Sequence, residues 1–427
     1  MSAPRALRPD ATTLATWVAD ARGRTLELYA DLDDAQLVVP YLPIINPPIW
    51  ELGHVAWFQE HWALRHALGG APARSDADAL WNSALVPHRE RWTMELPSRI
   101  ATREYLEAVR ERVLESLHRS AEPLGSELAY FIMLGVFHED MHHEALLYTR
   151  QTMAWPAPSL TGANGETTES PETGALDGDV PVPAGAWRIG AEREPEPIFV
   201  FDNEKWAHEI ELAPFRIARA PVTQAEFAAF VDDGGYRRPD LWTTEGSAWR
   251  QRTGAVHPVH WRSASGGWER RVFDRWVAVS GQPHRPMLHV SAHEAEAWCR
   301  WAGRRLPTEA EWERAAHGAP IDQRANLDLR IGDTVDVAAF AAGESACGCR
   351  QMIGNVWEWT TSSFGPYPGY VRDPYAEYSE PWFGGDHRVL RGGCFATRAR
   401  LLRPTWRNFY PPERRDIWSG FRTCALD

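Results

Sequence analysis

Between Trp155 and Pro183 the chain changes texture, and that change limits its fold more than any other feature. Before it, apolar residues recur at helical spacing. Within it, Gly, Pro, Thr, Ser and acids dominate with little apolar periodicity, as in a linker or a long surface loop. After it, segments are short, and Gly, Pro and Trp interrupt them constantly. One core cannot serve both textures, and 427 residues suffice for two or three domains of roughly 100–200 residues each. The expected division is a helical domain over 10–154, a linker over 155–181 and a second domain over 182–427.

In the first part, Leu14, Trp17, Val18, Ala21, Leu26 and Leu28 follow a period near 3.6 and predict a helix over 12–32. Pro40, Pro43, Pro47 and Pro48 interrupt it. Further helices are predicted over 50–68, 102–117 and 127–153. Four amphipathic helices make a bundle, and bundle interiors commonly hold metals. In the second part only 223–232, 291–303 and a short 308–317 look helical. Thr308 followed by Glu311 fits a capping box. The remainder reads as short strands and ordered loops, so the whole is an α+β multidomain chain.

Composition removes several classes. With 45 Lys plus Arg against 58 Asp plus Glu, the net charge is −13. Without a basic run, such a chain is a poor nucleic-acid binder. The longest apolar stretch, 129–137, is too short for a membrane span of about 20 residues. The first residues lack the apolar stretch of a secretion signal. Five scattered cysteines argue against a disulfide framework and for a reducing, cytoplasmic setting. Cys347 and Cys349 form a close pair but have no second pair to complete a zinc site. The 22 tryptophans are unusual, because each buried indole N–H needs an acceptor. Fifteen of them follow Val182.

The histidines carry the chemistry. His138 and His142, at i and i+4, lie on one helix face, the spacing of a two-histidine metal site. The apolar stretch before them draws that helix into the core, where unpartnered imidazoles are costly. His54, on the second helix, is placed to supply a third ligand. His61 and His143 compete on spacing alone, and Glu60, Glu139 and Glu144 are available to support the ligands. Three neutral imidazoles with open positions suit Zn, Cu, Fe or Ni. The ligand set does not choose among them.

Beyond this point the sequence resembles known families. The segments FDNE (201–204), APVTQAEF (220–227), WCRWAGRRLPTEAEW (298–312), GNVWEW (354–359), RVLRGG (388–393) and GFR (420–422) resemble the formylglycine-generating-enzyme superfamily. That resemblance implies a C-type-lectin-like fold in which these tryptophans are scaffold. The N-terminal part resembles a DinB-like four-helix bundle. The two in this order resemble the ergothioneine-type sulfoxide synthases, non-haem iron enzymes that use O2 to join a sulfur donor to C2 of hercynine. The resemblance implies Fe(II) on His54, His138 and His142, with O2 as co-substrate.

Departures from the family pattern concern the donor. Met141 stands where a hercynine-contacting Gln is usual. Tyr410, in RNFYPP (407–412), replaces an Asp that would meet the charged end of γ-glutamylcysteine, and Cys394 replaces a Ser. NPPIWELGH (46–54), VPHRERW (86–92) and RRDIWSGFRTC (414–424) are similar to the selenoneine synthase branch, which implies a neutral selenosugar as donor. Tyr375 and Tyr378 resemble the family's tyrosine pair, with Tyr375 as the proton donor. Hercynine's trimethylammonium has no N–H to offer, so recognition falls to aromatic faces such as Trp382, Trp406, Phe409 and Tyr410. Arg91 and Arg414 resemble donor-binding arginines. The alternatives are a synthase using cysteine or γ-glutamylcysteine, a non-catalytic binding protein on the lectin-like fold, and a copper-dependent formylglycine-forming oxidase.

Overall fold

The computed structural model describes residues 9–120, 123–162, 172–194 and 198–426. The chain divides into two compact units, 1–150 with 157–161 and 151–156 with 162–427.

The first unit is helical. Helix α1 (Ala11–Tyr29) starts at Asp10, whose side chain accepts from the Thr13 amide, and buries Leu14, Val18, Ala21, Thr25 and Leu28. Helix α2 (Pro48–Gln59) opens on proline at a position where the missing N–H costs nothing. Nearly every α2 residue is buried, so α2 is a core element rather than an amphipathic one. It runs on as a π-helical segment, Glu60–His66. The sequence predicted one continuous helix there. A short helix, α3 (Ala77–Trp81), was not expected. Helix α4 (Arg99–Arg119) is capped by Ser98 and buries Thr102, Leu106, Val109, Val113 and Leu117 along one stripe. Helix α5 (Ser126–Thr152) is buried on every side from 131 to 140. Among the described residues, no helix is long and apolar enough to cross a membrane.

The second unit mixes small sheets with short helices. One four-stranded sheet has the order β1 (Asp179–Val182), β4 (Phe215–Ala218), β13 (Cys424–Ala425), β8 (Arg304–Arg305). Strand β1 begins inside the stretch expected as linker. A second sheet has the order β11 (Asn408–Tyr410), β10 (Arg388–Arg391), β9 (Trp357–Ser363), β12 (Ser419–Gly420). Strands β2 (Gly185–Ile189) and β3 (His208–Leu212) form a hairpin, and β5 (Trp261–Ala264), β6 (Gly267–Val272) and β7 (Arg275–Ala278) form a meander. The helices are α6 (Gln224–Asp232), α7 (Thr244–Thr253), α8 (Ala292–Trp301) and α9 (Glu309–Ala316). The expected capping box is present: Thr308 Oγ1 accepts from the Glu311 amide, and Glu311 accepts from the Thr308 amide.

Several tryptophans are framework, and their N–H groups are satisfied. Trp312 donates to Glu358 at 2.7 Å, and Trp359 donates to the Val290 carbonyl at 2.8 Å. Glu358 also takes a two-bond fork from Arg422. Arg407, in the RNFYPP stretch, bonds Glu309 and the carbonyls of Asn203 and Gly365, so it holds the loops behind β11 together.

Candidate metal centre and aromatic cluster

His138 and His142 stand one turn apart on α5, and His54 faces them from α2. Ligand-capable atoms of all three lie within 4.8 Å of one another. His54 and His138 are buried, and His142 is 19% exposed. The His54 ring is layered between aromatics, with Trp50 stacked at 4.7 Å and Trp57 at 5.8 Å. His138 stacks on Phe58 at 3.6 Å.

Hydrogen bonds settle which nitrogen of two rings is available. Nδ1 of His54 lies 2.8 Å from the Trp81 carbonyl. A carbonyl only accepts, so Nδ1 carries the proton and Nε2 keeps its lone pair. Nδ1 of His142 donates to Oε1 of Glu51 at 2.5 Å, so Nε2 is the nitrogen not taken by that bond. Carboxylate and carbonyl partners of this kind orient metal-binding histidines and raise their basicity. Burial pushes His54 and His138 well below the usual imidazole range, and the neighbouring rings push the same way. Neutral rings with an unprotonated nitrogen are ligands, so the donor set fits a divalent transition metal.

The competing residues are placed elsewhere. His143 meets Thr25 at 2.9 Å, and His61 stacks on Trp57. Of the carboxylates expected to support the site, Glu60 takes Tyr105 and Arg112, Glu139 takes Arg22 and Thr25, and Glu144 takes Tyr148. The supporting carboxylate that sequence reading missed is Glu51. Its signal was available, three residues before His54 on the same helix. Arg91 stacks on Trp50 at 4.0 Å and bonds Asn46 and the Val86 carbonyl, and burial pushes it down to about 10. Met141, between the two α5 histidines in sequence, is half-buried.

The remaining predicted residues lie in the second unit, and most of them meet. Tyr378 stacks on Phe201 at 4.2 Å, and its hydroxyl accepts from Trp406 Nε1 at 3.2 Å. Tyr375 lies 6.0 Å from Tyr378 between ring centroids, and Phe409 lies 5.9 Å from it. Phe409 itself stacks on Phe364 at 3.9 Å. Trp382 is the outlier, 43% exposed and in contact with His387. Tyr410 lies under the Arg414 guanidinium at 4.8 Å, and Arg414 forks onto Asp416 with two bonds of 2.6 Å. Burial pushes both Tyr375 and Tyr378 above the usual phenol range, so both keep their protons at neutral pH.

Comparison with known proteins agrees with this division. Residues 18–146 match the DinB superfamily, and residues 164–426 match the sulfatase-modifying factor enzyme 1-like domain. The chain is 38% identical over 426 residues to the hercynine oxygenase of Mycobacterium tuberculosis, covering 96% of this chain and 97% of that protein. It is 36% identical to the hercynine oxygenase of Mycolicibacterium smegmatis, covering 96% and 98%. A formylglycine-generating enzyme of Streptomyces coelicolor is 30% identical, covering 64% of this chain and 96% of that protein. A bundle that gathers three histidines, followed by a lectin-like domain and matched along nearly its whole length, places this chain in the hercynine oxygenase family.

Proposed function

We propose that this chain is a non-haem Fe(II)- and O2-dependent oxidoreductase that joins a selenosugar to C2 of the hercynine imidazole, on the way to selenoneine. The observation that carries the metal reading is the trio His54, His138 and His142, two of them with Nδ1 committed to an acceptor. The relatives named hercynine oxygenase support the substrate. Iron bound by the three imidazoles would supply O2 activation and one-electron redox chemistry.

The chain's own residues do the rest. Tyr378 and Phe409 offer aromatic faces to a trimethylammonium, which is held by the ring quadrupole without hydrogen bonds, and buried Trp406 holds the Tyr378 hydroxyl through its N–H. Tyr375, protonated at neutral pH, is suited to deliver its phenolic proton to the reacting centre. Met141 offers a polarizable thioether in place of an amide. Arg91 is the candidate donor contact from the bundle. The donor reading rests on Tyr410 and Arg414. Asp416 already neutralises the guanidinium, and a phenol replaces a carboxylate, so this corner suits hydroxyls better than the charged ends of an amino acid.

The test is anaerobic reconstitution with Fe(II), then hercynine, O2 and one donor at a time: 1-selenoglucose, cysteine or γ-glutamylcysteine. Product mass identifies the new bond. Turnover with the selenosugar and its loss in His138→Ala are expected. Turnover with γ-glutamylcysteine and none with the selenosugar would instead make the chain a sulfoxide synthase.

A further inference from the structure

Helix α3 has only five residues, yet α2 grips it at three points. Trp50 Nε1 donates to the Leu80 carbonyl at 2.8 Å. Asp78 accepts from Trp57 Nε1 at 2.7 Å and from both Arg65 Nη atoms at 2.6 and 2.8 Å. The Trp81 indole is seated directly on Gly53, where a Cβ would come within 2.2 Å of it. Tyr105 stacks on that indole at 4.8 Å. The output of these contacts is a single main-chain carbonyl, that of Trp81, placed 2.8 Å from Nδ1 of His54.

We propose that α3 is a positioning element for the metal centre. Held by Asp78 and by the Trp81–Gly53 contact, it delivers the Trp81 carbonyl to His54 and fixes which nitrogen of that ring is the ligand. The inference rests on the metal reading above. Neither Asp78 nor Gly53 belongs to the three-histidine cluster, so they act through the path of the backbone. A carbonyl on a loose loop would leave the ring free to exchange tautomers, and the tautomer protonated at Nε2 would present N–H to the cation. Partners that orient ligand histidines typically contribute 10–100-fold in metal affinity.

The test uses the full chain with Co(II) as a spectroscopic stand-in. Its dissociation constant is measured against a competing chelator, and the exchangeable, hyperfine-shifted imidazole N–H signals are recorded by proton NMR. Such signals are expected in the unaltered chain from Nδ1–H of His54 and of His142. Asp78→Ala and Gly53→Ala should each weaken Co(II) at least tenfold and broaden one signal into solvent exchange. Asp78→Asn keeps an acceptor for Trp57, so it should fall between, and it serves if the alanine variant does not fold. Affinity within twofold of the unaltered chain, with both signals intact, would overturn the inference and leave the metal reading standing. An unaltered chain that binds no Co(II) would overturn both.

Discussion

At the scale of single residues, the candidate centre is built from partners that the three histidines themselves do not announce. Glu51→Ala removes the acceptor on Nδ1 of His142. We expect Fe(II) or Co(II) affinity to fall 10–100-fold with the fold retained, measured by chelator competition beside circular dichroism. Cys347 gives a second expectation. Its thiol lies 3.7 Å from that of Cys349, and the hydrogen bond between them pushes it down to about 6. It is half-buried, while the other four cysteines are buried. Alkylation by iodoacetamide should therefore reach half its maximal rate near pH 6 and vanish in Cys347→Ser. A rise only above pH 8 would contradict this. Helical spacing, a strong geometric rule, put His138 and His142 on one face, and the structure gathers them with His54. The Trp81 carbonyl was not legible, since a main-chain atom leaves no mark in sequence, and Glu51 was passed over for carboxylates nearer the α5 pair.

At the scale of elements, capping chemistry was easier to read than apolar pattern. The Thr308–Glu311 box ends as expected, and Thr308→Ala should cost about 1 kcal/mol in urea denaturation. Helix α7 was missed because TEGSAWRQRT carries no apolar stripe. Its start is set by Thr243, which accepts from the Gly246 amide, and its end by left-handed Gly254. In β12, a Cβ at Gly420 would sit 2.1 Å from the Met287 carbonyl, so Gly420→Ala should destabilise the second unit by about 1–3 kcal/mol. The buried pair His260 and His289, 4.6 Å apart, makes that unit acid-sensitive. Burial holds His289 down at about 3, with Arg270 and Arg271 pushing the same way and Asp416 opposing them. Between pH 3 and the ordinary imidazole range near 6.5, the unfolded chain binds the extra proton. This contribution to stability is full above about pH 6.5 and is lost as pH falls toward 3. Denaturation midpoints measured at pH 7 and pH 4.5 should differ, and by less in a His289→Gln variant that stays folded.

At the scale of the whole chain, the change of texture near Trp155 sets the expected boundary between two domains. Its details gave way to backbone geometry, since β1 already starts at Asp179. The three candidate ligands come from only two helices. His138 and His142 share α5, and His54 stands 84 positions before the first of them (138 − 54). A cation held by all three would therefore act as a staple, closing a loop of that length between α2 and α5. A disulfide across a loop of similar size contributes on the order of 4 kcal/mol by restricting the unfolded chain, and a reversible staple would act in the same sense. The connecting segment between His66 and Arg99 would then be the part of the bundle whose resistance to protease depends most on metal. Stripping the metal with a chelator should expose it to cleavage, and Co(II) should restore its protection.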